Sequence, residues 1–220
     1  MSDPISATRV IRTDLSAGGD GTDATIQAMS RAAMGEYGAG SGRVIAAARE
    51  IIDDAGVPER DQRGEVEAIH RFVMLHLRYV RDPLWYEMIT YPETLLFDTA
   101  TGDCDDHVVL EAALLGALGI PTRFVTYGFK GNIAQSHVAM EAKVGSEWIP
   151  LDPIVKDKPA GWSVPDASNV TRYGVNTPSG TIGAAFSVVN AGKMLACVVA
   201  GVALWWWLRS LNKKRRYYVR

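Results

Sequence analysis

GDCDDHVVLEAALLGALGIP, residues 102–121, changes character at its cysteine. Around Cys104 the chain is glycine, acid and histidine; from Val108 to Gly119 every residue but Glu111 is apolar or glycine, so that Cys104 to Gly119 predicts a strongly apolar helix. Val108, Ala112, Leu115 and Leu118 fall nearly in register, Gly119 suits the C-cap, and Pro121 prevents continuation. A cysteine in the first turn of such a helix is chemically favoured as a nucleophile. Unpaired backbone N–H groups and the helix dipole stabilise a thiolate there, and the same N–H groups can receive an oxyanion. Cys104 is therefore a candidate nucleophile, with an inert core residue or a metal ligand as the alternatives.

A nucleophilic cysteine needs a base, and the base needs an orienting acceptor. Downstream, TRFVTYGF (122–129), SHVAMEAKV (136–144) and EWIPLDP (147–153) are expected to be three short strands. Val138, Met140 and Ala142 alternate with Ala139, Glu141 and Lys143, the period of a strand. His137 opens the second strand and Asp152 closes the third. If the two strands are hairpin neighbours, both residues return to one level of the sheet, at the start of the helix. Plainer roles stand beside these: His137 as a strand-end histidine, Asp152 as a turn acid.

Asp103, Asp105 and Asp106 suit the positive end of the helix. They also impose a cost, because carboxylates beside a thiolate raise its pKa. C-x-x-H, Cys104 with His107, could join His137 in a zinc site. No second close-spaced pair completes four ligands, so neither metal nor cofactor is expected, and His107 is expected to hydrogen-bond beneath the site.

Upstream, three helices are expected at 22–37, 41–56 and 60–80, with Ser41 as a cap. In the third, Val66, Ile69, Phe72, Val73 and Leu77 recur at spacings of three and four, while His70 and His76 are read as ordinary helix residues. The connection 81–102 carries Pro83 and Pro92, which forbid one uninterrupted helix. Residues 1–21 are expected to be a flexible arm, 22–165 the folded domain, and 166–181 a linker.

TYPETLLFDTATGDCDDHVVLEAALLGALGIPTRFVTYG (90–128), followed by SHVAMEAKVGSEWIPLDP (136–153), resembles the transglutaminase-like superfamily of papain-fold cysteine enzymes, most closely in flavour its bacterial and phage- or prophage-encoded members. The likeness extends over roughly 60–165. It rests on three blocks in order: GDC at a helix start, SHV at a strand start, and W-x-x-LDP. It implies an α+β fold: a papain/transglutaminase-like core with the cysteine at the start of a central helix on a small antiparallel sheet. It also implies Cys104 as nucleophile, His137 as general base and acid, and Asp152 as the residue that orients His137. The implied chemistry is attack on the amide carbonyl of a protein or peptide substrate through a thioester. Hydrolysis by a peptidase or amidase is preferred over transamidation for so small a domain. Tyr91 or Trp85 is the candidate for an oxyanion-hole side chain. The alternative is a structural or virion-assembly protein that keeps the fold with little activity.

Composition bounds the partners. Apolar residues make up 47% and charged residues 22%, as in a foldable protein. The net charge of -2 hides six positive charges in the last twelve residues, so residues 1–208 carry a net negative charge. An acidic body excludes broad nucleic-acid binding. The two cysteines, Cys104 and Cys197, make no disulfide framework. The first residues lack an apolar h-region, so no cleavable signal peptide is expected. Residues 194–208 are fifteen uninterrupted apolar residues followed by a basic tail. This predicts an apolar C-terminal helix within 182–220 that attaches the chain to a membrane or to a phage assembly, and hence a membrane-associated or virion location. A helix of that length spans about 22 Å against a hydrocarbon core of about 30 Å, so crossing needs extension back through Lys193 and Asn190.

Overall fold

The computed structural model describes residues 10–14, 19–82, 86–129 and 132–175. The chain divides into units 1–179 and 180–220, and every described element belongs to the first. In order these are β1 (Val10–Asp14), α1 (Gly19–Met34), α2 (Gly42–Ala55), α3 (Gln62–His76), β2 (Arg78–Tyr79), β3 (Tyr86–Thr90), α4 (Pro92–Thr94, running into a π-turn at Leu95–Thr99) and β4 (Thr101–Gly102). The central helix α5 (Cys104–Ala117) follows, then β5 (Thr122–Phe129), β6 (Asn132–Val144), β7 (Glu147–Leu151) and β8 (Ala167–Gly174).

Helix α5 is the axis of the fold. Every residue from Asp105 to Leu115 is buried, as expected of a helix apolar on all sides. Helices α1, α2 and α3 pack against it, and β5 and β6 cover it from the sheet side. The main sheet is antiparallel in the order β7-β6-β5-β8. Phe124, Val138, Met140 and Ala142 enter the common core with α5. Val125, Tyr127 and Ala139 alternate away into a second cluster capped by Phe129, Val164 and Ala167. The period-two alternation of 138–143 thus separates two packed faces, with Glu141 buried between Arg123 and Arg172.

Capping chemistry sets the upstream helix ends. Ser41 accepts from the Arg43 and Val44 N–H groups, and α2 stops at Gly56, whose φ of 67° suits glycine. Asp61 caps α3 through the Gly64 N–H at 2.9 Å. A short parallel bridge, β2 to β4, then ties the end of α3 to the approach to Cys104, with Val80 N–H donating to the Gly102 carbonyl at 2.8 Å.

Three features differ from the sequence expectations. The connection 81–102 contains β3, paired antiparallel with β1 from within the stretch expected to be a flexible arm. Residues 167–174, inside the expected linker, form edge strand β8 along β5. The third is a correction. No helix among the described residues is long and apolar enough to cross a membrane. The apolar C-terminal helix, expected within 182–220, lies outside them. Its attachment of the chain to a membrane, virion or phage assembly is withdrawn, with the location that depended on it. The physical reason is already in the sequence: fifteen apolar residues are too short, and lengthening the run takes in Lys193 and Asn190.

Candidate active site

Cys104 is the first residue of α5 and is half-buried, with Asp103 as the N-cap accepting from the Asp105 N–H at 3.3 Å. The thiol lies against two backbone donors, the N–H of Val138 on β6 and that of Asp105. Val138 is the residue after His137, so the packing of α5 on β6 brings the cysteine to the strand that carries the histidine.

His137 and Asp152 meet directly. Nε2 of His137 stands 2.8 Å from Oδ2 of Asp152. Strand register explains the meeting: β6 and β7 pair with Met140 opposite Leu151, so the chain delivers Asp152 just past the end of β7. Asp152 is only 3% exposed. A carboxylate can only accept, so Nε2 carries the ring proton and donates it, leaving Nδ1 with the basic lone pair. The imidazole also stacks on Tyr127 of β5, with centroids 5.9 Å apart and planes 22° apart. Burial raises the Tyr127 phenol, with Glu141 and Asp152 adding to the effect, so it stays neutral beside the pair.

The surroundings of Cys104 are acidic. Burial, followed by the charge of Asp103 and then Glu87, pushes the thiol up to about 12. The two backbone donors oppose this without overcoming it. Asp82 is raised to about 6 and Asp106 to about 8, burial being the largest cause for each. Asp105 is raised well above the carboxylate range by burial, its hydrogen bond with Asp103 and the charge of Asp103 adding to it. The cost foreseen for acids near the cysteine is present in the fold.

The acids have distinct structural duties. Asp106 accepts from the Thr90 N–H at 2.7 Å, latching β3 to α5. This latch explains the glycine of GDC. A Cβ on Gly102 would come within 2.3 Å of the Asp106 Cβ, a contact that side chains do not make. His107 sends Nδ1 to the Asp103 carbonyl at 2.7 Å, and burial lowers its pKa; it braces the helix start. Tyr91 packs edge-on against Tyr37 at 5.4 Å, and Trp85 lies outside the described residues.

Sequence reasoning passed over a second polar pair in the core. Nδ1 of His70 on α3 stands 2.9 Å from Oε1 of Glu111 on α5, and both side chains are almost completely buried. Burial works to lower the His70 pKa, but the charge and hydrogen bond of Glu111 outweigh it and raise the pKa. A lone glutamate inside so apolar a helix was the available signal, because a buried charge needs a partner. Glu87 on β3 was likewise missed; it lies among Asp103 and Asp105.

The model of the transglutaminase-like superfamily matches residues 46–153. Residues 46–153 belong to the transglutaminase-like superfamily. That span contains Cys104, His137 and Asp152, and with them α3, α5 and strands β5 to β7. The comparison with curated proteins finds no match. Among solved structures, the chain is similar to a candidate cysteine protease from Cytophaga hutchinsonii at 23% identity and a TM-score of 0.39, covering 59% of this chain and 48% of that one. It is also similar to the periplasmic domain of TgpA from Pseudomonas aeruginosa, at 25% identity and a TM-score of 0.38, covering 50% and 43%. A candidate protease from Parabacteroides distasonis is similar at 16% identity and a TM-score of 0.43, covering 61% and 27%. The chain thus matches less than half the length of each, and likenesses of this strength carry no argument about activity.

Proposed function

We propose that this chain is a cysteine hydrolase, a peptidase or amidase, that attacks an amide carbonyl through a thioester formed on Cys104. The observation that carries the reading is the 2.8 Å contact of His137 Nε2 with the buried Asp152 carboxylate, one residue from the N–H that faces the thiol. Asp152 fixes the tautomer and leaves His137 Nδ1 as the base. Because the thiol is held protonated, it is deprotonated as it attacks. The sulfur bonds to the carbonyl carbon while its proton passes to His137, which returns it to the departing amine nitrogen. Backbone N–H groups at the start of α5 support the oxyanion. Water, activated by the same histidine, then cleaves the thioester and restores the thiol.

A second reading, a fold kept for a non-catalytic role, draws on the acidic setting that pushes the thiol up to about 12. A single experiment separates the two. The protein is incubated with peptide and isopeptide anilides, and intact-mass spectrometry follows the acyl-enzyme. The hydrolase reading expects an adduct on Cys104 and anilide release that falls by about 10²- to 10⁴-fold in His137→Ala. No adduct with any substrate, or release indifferent to His137→Ala and Cys104→Ser, favours the non-catalytic reading.

A further inference from the structure

Tyr127 of β5 stands directly opposite His137 of β6, the last pair before the register of these strands slips. Residues paired in this way point to one face of the sheet, where their side chains meet. Here the two rings stack, with centroids 5.9 Å apart and planes 22° apart. The tyrosine is firmly seated. Its backbone lies between two strands, with Val170 of β8 opposite it on the other edge of β5. It is 6% exposed and shares a cluster with Val125 and Ala139, against which Phe129, Val164 and Ala167 pack.

Asp152 holds one edge of the imidazole, 2.8 Å from Nε2. That contact fixes the tautomer but leaves the plane of the ring loosely set. The last torsion of a histidine is broad, and a hydrogen bond weakens steeply only when its angle falls below about 120°. A ring tethered through one nitrogen can therefore tilt. Tilt matters to a base, because the Nδ1 lone pair lies in the ring plane and accepts a proton along it. A flat, immobile neighbour against the face of the ring removes this freedom.

The geometry points to Tyr127 as a positioning residue for the base: its face sets the plane in which His137 Nδ1 takes up the proton of Cys104. The inference rests on the hydrolase reading and adds to it the group that aims the histidine. The same face suits the step in which the imidazole becomes a cation, since a cation within about 6 Å of an aromatic centroid is attracted to it. The ring carries this role and the hydroxyl does not, so phenylalanine is the conservative replacement.

The test compares Tyr127→Leu with Tyr127→Phe in the full chain. With a peptide anilide, Tyr127→Leu is expected to lose about tenfold or more in kcat while KM changes by less than about twofold, the mark of a group that acts on the transition state. Tyr127→Phe is expected to restore kcat to within about twofold of the parent. A second readout needs no substrate: carbon-13 relaxation at Cε1 of His137, assigned by its loss in His137→Ala. Its order parameter is expected near the rigid value of about 0.85 in the parent and in Tyr127→Phe, and below about 0.6 in Tyr127→Leu. Should Tyr127→Leu fail to fold, Tyr127→Ile, a strand former without a ring face, takes its place. An active parent whose folded Tyr127→Leu variant keeps the parental kcat or the parental ring order overturns this proposal and leaves the hydrolase reading standing. A loss of rate shared equally by Tyr127→Phe also overturns it. A parent that forms no acyl-enzyme overturns the hydrolase reading and the role of Tyr127 with it, even where the order parameters show that the stack holds the ring.

Discussion

At the scale of the residue, Cys104, the proposed nucleophile, is a thiol whose ionisation is resisted by its neighbours. Asp103 is the instructive one, since it caps α5 and is the first charge, after burial, to raise the thiol. Asparagine caps a helix about as well as aspartate but carries no charge. Asp103→Asn is therefore expected to leave the Tm within a few degrees of the parent and to speed alkylation of Cys104 by iodoacetamide at pH 8 by about tenfold, the factor that one pKa unit represents. Timed mass spectrometry of the alkylated peptide measures this. An unchanged rate would mean that burial alone holds the thiol. At the same scale, His137→Ala is expected to keep the fold, because its strand is held by pairing on both sides, but to lower its stability, because the buried Asp152 loses its partner.

At the scale of the element, the buried pair of His70 and Glu111 joins α3 to α5. Removing one partner from such a pair strands the other in the core, so Glu111→Ala is expected to cost about 3–5 kcal/mol by urea unfolding. Replacing both with leucine is expected to recover much of that loss, since the core there is otherwise apolar. The elements also show what the sequence made legible and why the rest stayed hidden. Helix α2 announced itself through its Ser41 cap, α3 through three-four spacing, α5 through its apolar run ending at Gly119, and β6 through alternation. Ser41, Gly56 and Gly119 sit at the helix ends where local chemistry places them. Strand β8 was hidden because Asn169 and Val170 are exposed and the strand is held by its edge pairing with β5, a contact that no local pattern reports. Strand β3 was hidden by its flanking prolines. In the candidate site, Cys104, His137 and Asp152 were named from motif blocks, and the contact between the last two follows from hairpin register. Glu87 could not be named, because only the fold carries it from β3 to the start of α5.

At the scale of the whole molecule, several buried groups share one pH dependence. Asp106 and Asp82 hold their protons up to about 8 and about 6 in the folded chain, against about 3.9 in the unfolded one. Between those values the native state binds protons that the unfolded state has lost, so stability falls as pH rises. His70, also raised, contributes in the same direction above its ordinary value. The stabilisation from these groups is complete below the unfolded carboxylate range and is lost as pH climbs through 6 and then 8. Calorimetric Tm is thus expected to decline across that window. Asp106→Asn keeps an acceptor for the Thr90 N–H and removes the ionisation, so it is expected to flatten the decline between pH 6 and 8. A variant whose Tm tracks the parent throughout would show that Asp106 does not titrate there.

The acids around Cys104 have a consequence for durability. Peroxide attacks the thiolate, the form that can pass through sulfenic to irreversible sulfinic and sulfonic acids. A sulfur kept protonated offers little of that form. The environment that resists the thiolate therefore also preserves the sulfur, and a cysteine that waits as a thiol can survive oxidising surroundings that would exhaust a permanently ionised one.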